Sequence, residues 1–141
     1  MRIPKTIFVA IFVLTASVGV VFGLIASLQD ELGFKNGILG LIAAAAFFSA
    51  VIAQLFLAPL VDRGFTKPLM ITAISVAALG CLWFPLASSA LELILARTLT
   101  GLGIGAFAPA ARAVVANADT SRSGERLGRL AAVETSGFVA G

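Results

Sequence analysis

Residues Gln54–Pro68 read Q-L-F-L-A-P-L-V-D-R-G-F-T-K-P, an apolar run that stops at Asp62-Arg63 and resumes after Lys67-Pro68. So short a charged turn between two long apolar runs predicts a helix that leaves an apolar phase and a second helix that re-enters it. Composition names that phase. With 60% hydrophobic and 12% charged residues and a mean hydropathy of +1.07, the chain could not present an ordinary polar surface to water. The expected fold class is an all-α integral membrane protein.

Outward from this turn, the apolar runs divide by the roughly 20 residues that a helix needs to cross the hydrocarbon core. Four complete spans are expected, over about residues 6–29, 37–61, 69–87 and 91–116, and a fifth begins at about residue 127. The first run, Ile7 to Leu28, is too long for the apolar region of a signal peptide and is expected to stay in the membrane. The fifth run holds about 15 residues, roughly 22 Å at the helical rise against a core of roughly 30 Å, so 127–141 is read as truncated and residues 1–141 as part of a longer protein. Asp30, Glu31, Lys35 and Asn36 are assigned to the first loop, with Asn36 able to cap the second helix. Ser89-Ala-Leu-Glu92 has the spacing of a capping box at the start of the fourth. Trp83, Phe84 and Pro85 suit the headgroup level, and Pro59 offers a bend near the end of the second span.

Polar and small residues inside the spans carry the remaining information. Ala46, Ala50, Gln54, Ala58 and Asp62 recur every fourth residue, a stripe that faces protein or a water-filled path more readily than lipid. Gln54 either contacts a solute or bonds to another helix. Gly19 with Gly23, and Gly101 with Gly105, repeat a four-residue glycine spacing that lets helix backbones approach closely. Arg97 costs roughly 2.5–3.5 kcal/mol at a helix centre on insertion scales, so it is expected to face the bundle interior, line a cavity or snorkel outward.

The turn resembles the loop between the second and third helices of major facilitator superfamily transporters, G-x-L-x-D-R-x-G-R-K. Leu60, Asp62, Arg63 and Lys67 fall on that pattern. Ala58 stands for its first glycine, Gly64 is displaced from the second, Phe65 takes that glycine's place, and Thr66 replaces the first basic residue. Arg97 and Gly101 resemble the fourth-helix motif R-x-x-q-G of the same family, with Thr100 for the glutamine. Gly137 and Gly141 resemble the start of the fifth-helix antiporter motif G-x-x-x-G-P-x-x-G-G. The resemblance implies a helical bundle forming part of the N-terminal six-helix half, built from three-helix inverted repeats as in that superfamily. It also implies secondary active transport of a small solute by alternating access, with proton-coupled drug or metabolite efflux as the favoured branch. Asp62 is then expected to hold an inner gate closed beside Arg63, Lys67 and Arg112. Arg97 is expected to meet an anionic solute group or a carboxylate such as Glu134. No carboxylate lies in the middle of the first span, so Glu134, Asp30 or the remainder of the transporter is expected to carry the coupling proton.

Charge placement orients the chain. Arg2, Lys5, Arg63, Lys67, Arg112, Arg122, Arg126 and Arg129 gather on one side and Lys35 alone on the other, which predicts a cytoplasmic N-terminus in a bacterial-type plasma membrane. The net charge of +3 is thereby topological, and nucleic acid is not an expected partner because the basic residues form no contiguous face. Histidine is absent, and the seven carboxylates show no metal-ligand spacing. Cys81 lies alone in an apolar run. Gly101-x-Gly103-x-Gly105 lacks the lysine that ends a phosphate loop. Neither a cofactor, a metal nor an enzymatic activity is therefore expected. The expected partners are a small solute, protons, the bilayer and the rest of the transporter. The competing reading is a non-transporting scaffold or helix-packing subunit.

Overall fold

The computed structural model describes residues 5–118 and 122–141, apart from the side chains of residues 25, 26, 28, 29, 31 and 32. Five α-helices follow one another: α1 Lys5–Leu32, α2 Asn36–Asp62, α3 Thr66–Trp83, α4 Ala90–Asn117 and α5 Ser123–Ala140, with a 3-10 turn at Phe84–Leu86 between α3 and α4. There is no strand among the described residues. As the composition requires, α2, α4, the run Lys5–Leu24 of α1 and the run Thr66–Leu86 are long and apolar enough to cross a membrane. The 18 residues of α5 reach about 27 Å.

Helix ends depart from the apolar boundaries because capping, not hydropathy, stops a helix. The first runs on to Leu32, so Asp30 and Glu31 belong to its last turn rather than to a loop, and Gly33 ends it at φ +62°. A glycine in the left-handed region is the usual helix stop. Asn36 is a helical residue and not the cap. The cap position falls to Lys35, whose ammonium has no acceptor to offer, while its carbonyl oxygen accepts from the Ile38 N–H at 2.9 Å. At the other end of α2 the Gly64 N–H donates to the Val61 carbonyl at 3.1 Å, and the Phe65 N–H to that of Leu60 at 3.0 Å. With Gly64 at φ +86°, this is a complete Schellman motif. The displaced glycine of the turn is thus placed where a left-handed residue is required. In α3, which begins at Thr66, Pro68 occupies the first turn, where its missing N–H costs nothing. The Ser89–Glu92 capping box forms as expected. The next helix begins at Ser123, four residues before the expected start, and Arg2, one of the basic residues that orient the chain, lies outside the described residues.

Small residues decide how the helices assemble. A methyl group built on Gly101 would strike the Ala46 carbonyl oxygen and the Ser49 hydroxyl, and one on Gly105 the Ala50 carbonyl oxygen. The four-residue glycine period of α4 therefore rides on the four-residue alanine period of α2. Gly103, two residues away and so on the opposite face, does the same against α3, where its methyl would lie 2.5 Å from the Ala73 carbonyl oxygen and 2.6 Å from the Ala77 Cβ. Gly80 answers from α3, its methyl 2.6 Å from the Ala96 carbonyl oxygen. Held from both sides, α4 is the central helix, with 56% of its most apolar 18-residue window buried against 22% for α2. A second seam joins α1 to α5, with Gly19 against Phe138 and Gly141, Gly137 against Phe12 and Thr15, and Gly141 against Ala16. Gly23, four residues beyond Gly19, has nothing within 4 Å of a built methyl. Phe48, Leu55 and Phe56 of α2 are among the exposed apolar residues and suit a surface solvated by acyl chains.

Candidate functional site

Arg97 lies in the third turn of α4 and is buried to 1% exposure. Its Nε, Nη1 and Nη2 find no hydrogen-bond acceptor among the described residues. Arg97 is one of the residues lining a cavity of about 260 Å³ between α1, α3 and α4, with Ser17, Val21, Cys81, Phe84 and Thr100, while its guanidinium nitrogens are themselves shut off from it. The hydroxyls beside it are engaged: Ser17 Oγ donates to the Leu14 carbonyl at 2.6 Å, and Thr100 Oγ1 to that of Ala96 at 3.0 Å. Cys81 Sγ lies 3.9 Å from Thr100 Oγ1. Phe22 supplies a ring whose centroid is 6.0 Å from Arg97 Cζ, within reach of a cation–π attraction. That ring packs at 5.9 Å on both Phe47 and Phe138, so Arg97 abuts an aromatic cluster from α1, α2 and α5. Of the three orientations open to Arg97, the inward one is adopted.

Glu134 is not near Arg97 in the hydrogen-bond network. Its carboxylate accepts from Nη2 of Arg112, at 3.3 Å to Oε2 and 3.4 Å to Oε1. The pair ties α5 to the far half of α4, with side chains 51% and 29% exposed for Arg112 and Glu134. Glu134 also lines a 330 Å³ depression with Thr15, Phe47, Ile104, Thr135 and Phe138. Phe47 and Phe138 line this depression, and Phe22, packed on both, connects it to Arg97.

The turn after α2 holds the third group of candidates. Asp62 is the last residue of the helix and exposed, as are Arg63, Gly64 and Lys67, with Ala58 half-buried one turn earlier. Asp62 forms no ion pair among the described residues, and Arg112, one of its expected partners, is engaged by Glu134. An acid here faces the negative end of the helix dipole, which is unfavourable by about 0.3–1 kcal/mol. Asp30 and Gln54 are exposed. The stripe containing Gln54 is in contact with α4 at Ala46 and Ala50 and leaves it at Gln54.

The aromatic cluster and the pair Gly80–Gly103 were not foreseen. Gly103 could have been found, since two residues on a helix reverse the face and so imply a second partner. Phe22, Phe47 and Phe138 carry no such signal, because phenylalanine in a span is equally at home in lipid.

Four apolar helices and glycine seams on both sides of α4 make a polytopic membrane bundle. Residues 7–141 match the family model of the Major Facilitator Superfamily, and the chain belongs to that family. It is accordingly a multi-pass membrane protein of a family of transporters, and its function is membrane transport of a small solute. No curated protein matches the chain.

Proposed function

We propose that the chain is part of the N-terminal half of a secondary transporter that works by alternating access and exports its solute in exchange for protons. The observation that carries the coupling is the Arg112–Glu134 pair at 3.3 Å. A carboxylate that both bonds an arginine of the neighbouring helix and lines a solute-sized depression can exchange its arginine for a proton. Protonation removes the charge-assisted bond between α4 and α5, and an element released in this way can shift between two packings. Asp30, exposed at the end of α1, is the second carboxylate proposed for this role. The efflux branch draws further support from the α1–α5 seam, where Gly137 and Gly141, the residues resembling the antiporter motif, are in contact with α1.

Asp62 is proposed as the inner gate. Its placement against the helix dipole is unfavourable locally, and a group kept at a local cost suits a role outside its own helix. With the basic side facing the cytoplasm of a bacterial-type membrane, the turn bearing Asp62, Arg63, Gly64 and Lys67 faces inward. Ala58, one turn before Asp62, keeps this end of α2 slim.

The test is solute-dependent proton movement by the complete protein in liposomes carrying an imposed pH gradient. Glu134→Gln should abolish the dependence of transport on the gradient while the protein still inserts. A wild-type pH profile in that variant rejects Glu134 as the coupling group. Asp62→Asn should cut transport about tenfold or more at equal expression, the loss of a charge-assisted contact being worth roughly 1.5–3 kcal/mol. Unchanged transport by this variant removes the gate.

A further inference from the structure

A buried cation ordinarily meets an anion or an acceptor, because an uncompensated charge inside a bundle is costly. Arg97, at 1% exposure, bonds no acceptor among the described residues. The carboxylates of α4 and α5 are committed elsewhere. Glu92, one turn and a half before Arg97, accepts from the Ser88 N–H at 2.8 Å and the Ser89 N–H at 3.3 Å. Glu134 is held by Arg112, and Glu125 by Arg129 at 2.7 Å. The hydroxyls of Ser17 and Thr100 donate to backbone carbonyls.

The group that does meet this charge is a ring. Phe22 of α1 has its centroid 6.0 Å from Arg97 Cζ, which lies over the ring. The negative face of an aromatic ring attracts a guanidinium most strongly where both are out of water. Phe22 is in turn held by two other rings. It lies at 5.9 Å from Phe47 of α2, tilted by 45°, and at 5.9 Å from Phe138 of α5, edge to face at 66°. One side chain of α1 thus touches α2, α4 and α5, and two of its three partners, Phe47 and Phe138, are walls of the depression at Glu134.

We propose that Phe22 is a positioning residue: its ring face stands where an anion would otherwise meet Arg97, and its own place is fixed by Phe47 and Phe138. Displacing either wall of the depression then alters the contact at Arg97, so the two places are linked through a relay of rings. The relay's part in transport rests on the reading of the depression as a solute site, whereas the pairing of ring and cation holds without it.

The full-length protein is purified in detergent, and the apparent unfolding midpoint is measured across a set of mutant cycles. Phe22→Leu should lower the midpoint by about 3 °C or more. Phe22→Tyr and Phe22→Trp, which keep a ring face, should recover most of that loss. In an Arg97→Met background, where the cation is gone, the cost of Phe22→Leu should fall by about half or more, the remainder being lost packing. In Arg97→Lys, which keeps the charge, the cost should persist. Arg97→Gln repeats the neutral arm should Arg97→Met fail to fold. Phe138→Leu and Phe47→Leu, each standing in for a displaced wall, should shrink the coupling between Phe22 and Arg97 by about half or more.

A cost of Phe22→Leu that is equal with a charged and a neutral residue at position 97 would reduce Phe22 to packing and overturn the pairing. So would a loss in Phe22→Tyr and Phe22→Trp as large as in Phe22→Leu. A coupling untouched by both Phe138→Leu and Phe47→Leu would overturn the relay. No solute enters these measurements, so the two readings fail separately. A wild-type pH profile in Glu134→Gln removes the coupling role of Glu134 and leaves the pairing standing, and a failed cycle removes the pairing and leaves Glu134 untouched.

Discussion

Arg97 and Arg112 belong to one helix, carry one charge each and lead opposite lives. Arg112 is half exposed and bonds Glu134 of α5 at 3.3 Å, whereas Arg97 is buried to 1% and bonds no acceptor among the described residues. The difference is in what surrounds α4 along its length. Arg97 lies just before the seam of Gly101, Gly103 and Gly105, which is clamped between α2 and α3. Arg112 lies beyond that seam, where a side chain can find its own partner. An arginine's role in a bundle is thus set by how tightly its helix is held.

The sharpest way to break the comparison is to unseat the helix. Gly101→Leu and Gly103→Leu should each destabilise the protein by about 1–3 kcal/mol or more, because backbone, not flexible side chain, occupies the space. Gly23→Leu, with nothing within 4 Å, should stay within about 0.5 kcal/mol. Thermal unfolding in detergent reads all three, and a Gly103→Leu variant as stable as the parent would mean that the clamp on α4 is not what buries Arg97.

Next in size is the exchange of arginine for lysine at the two positions. If Arg97 uses its planar fork, Arg97→Lys should lower transport about tenfold. Arg112→Lys should stay near the parent rate, since an exposed pair tolerates a point charge. Equal losses at both positions would erase the distinction.

The smallest effect belongs to the exposed pair itself. A double-mutant cycle between Arg112→Ala and Glu134→Ala should give a coupling of only about 0.2–1 kcal/mol, and the coupling should fade at high salt. A value that is larger and insensitive to salt would show Arg112 to be as sheltered as Arg97.

Much of the fold is legible in the sequence. Hydropathy is local and additive, so each apolar run could be read as a helix, and the Ser89–Glu92 capping box followed from side chains three positions apart. Membership in the superfamily was carried by residues at fixed spacing around Asp62, Arg97 and Gly137. Helix ends were less readable, because Gly33 and Gly64 stop their helices through backbone conformation and not at the edge of the apolar run.

What only the tertiary structure decided is the rotation of each helix about its axis. Gly19 and Gly23 are equivalent in sequence, yet one lies against Phe138 and Gly141 while the other faces open space. Glu134 was as available to Arg97 as to Arg112 on paper, and the packing of α5 gave it to Arg112. Arg97 could have snorkelled outward, and in the packed bundle it is buried to 1% exposure. Insertion into a membrane is settled segment by segment, by the transfer of side chains from water to lipid. The direction in which a residue then points depends on every neighbouring helix at once, because within lipid only close packing and polar contacts distinguish one face from another.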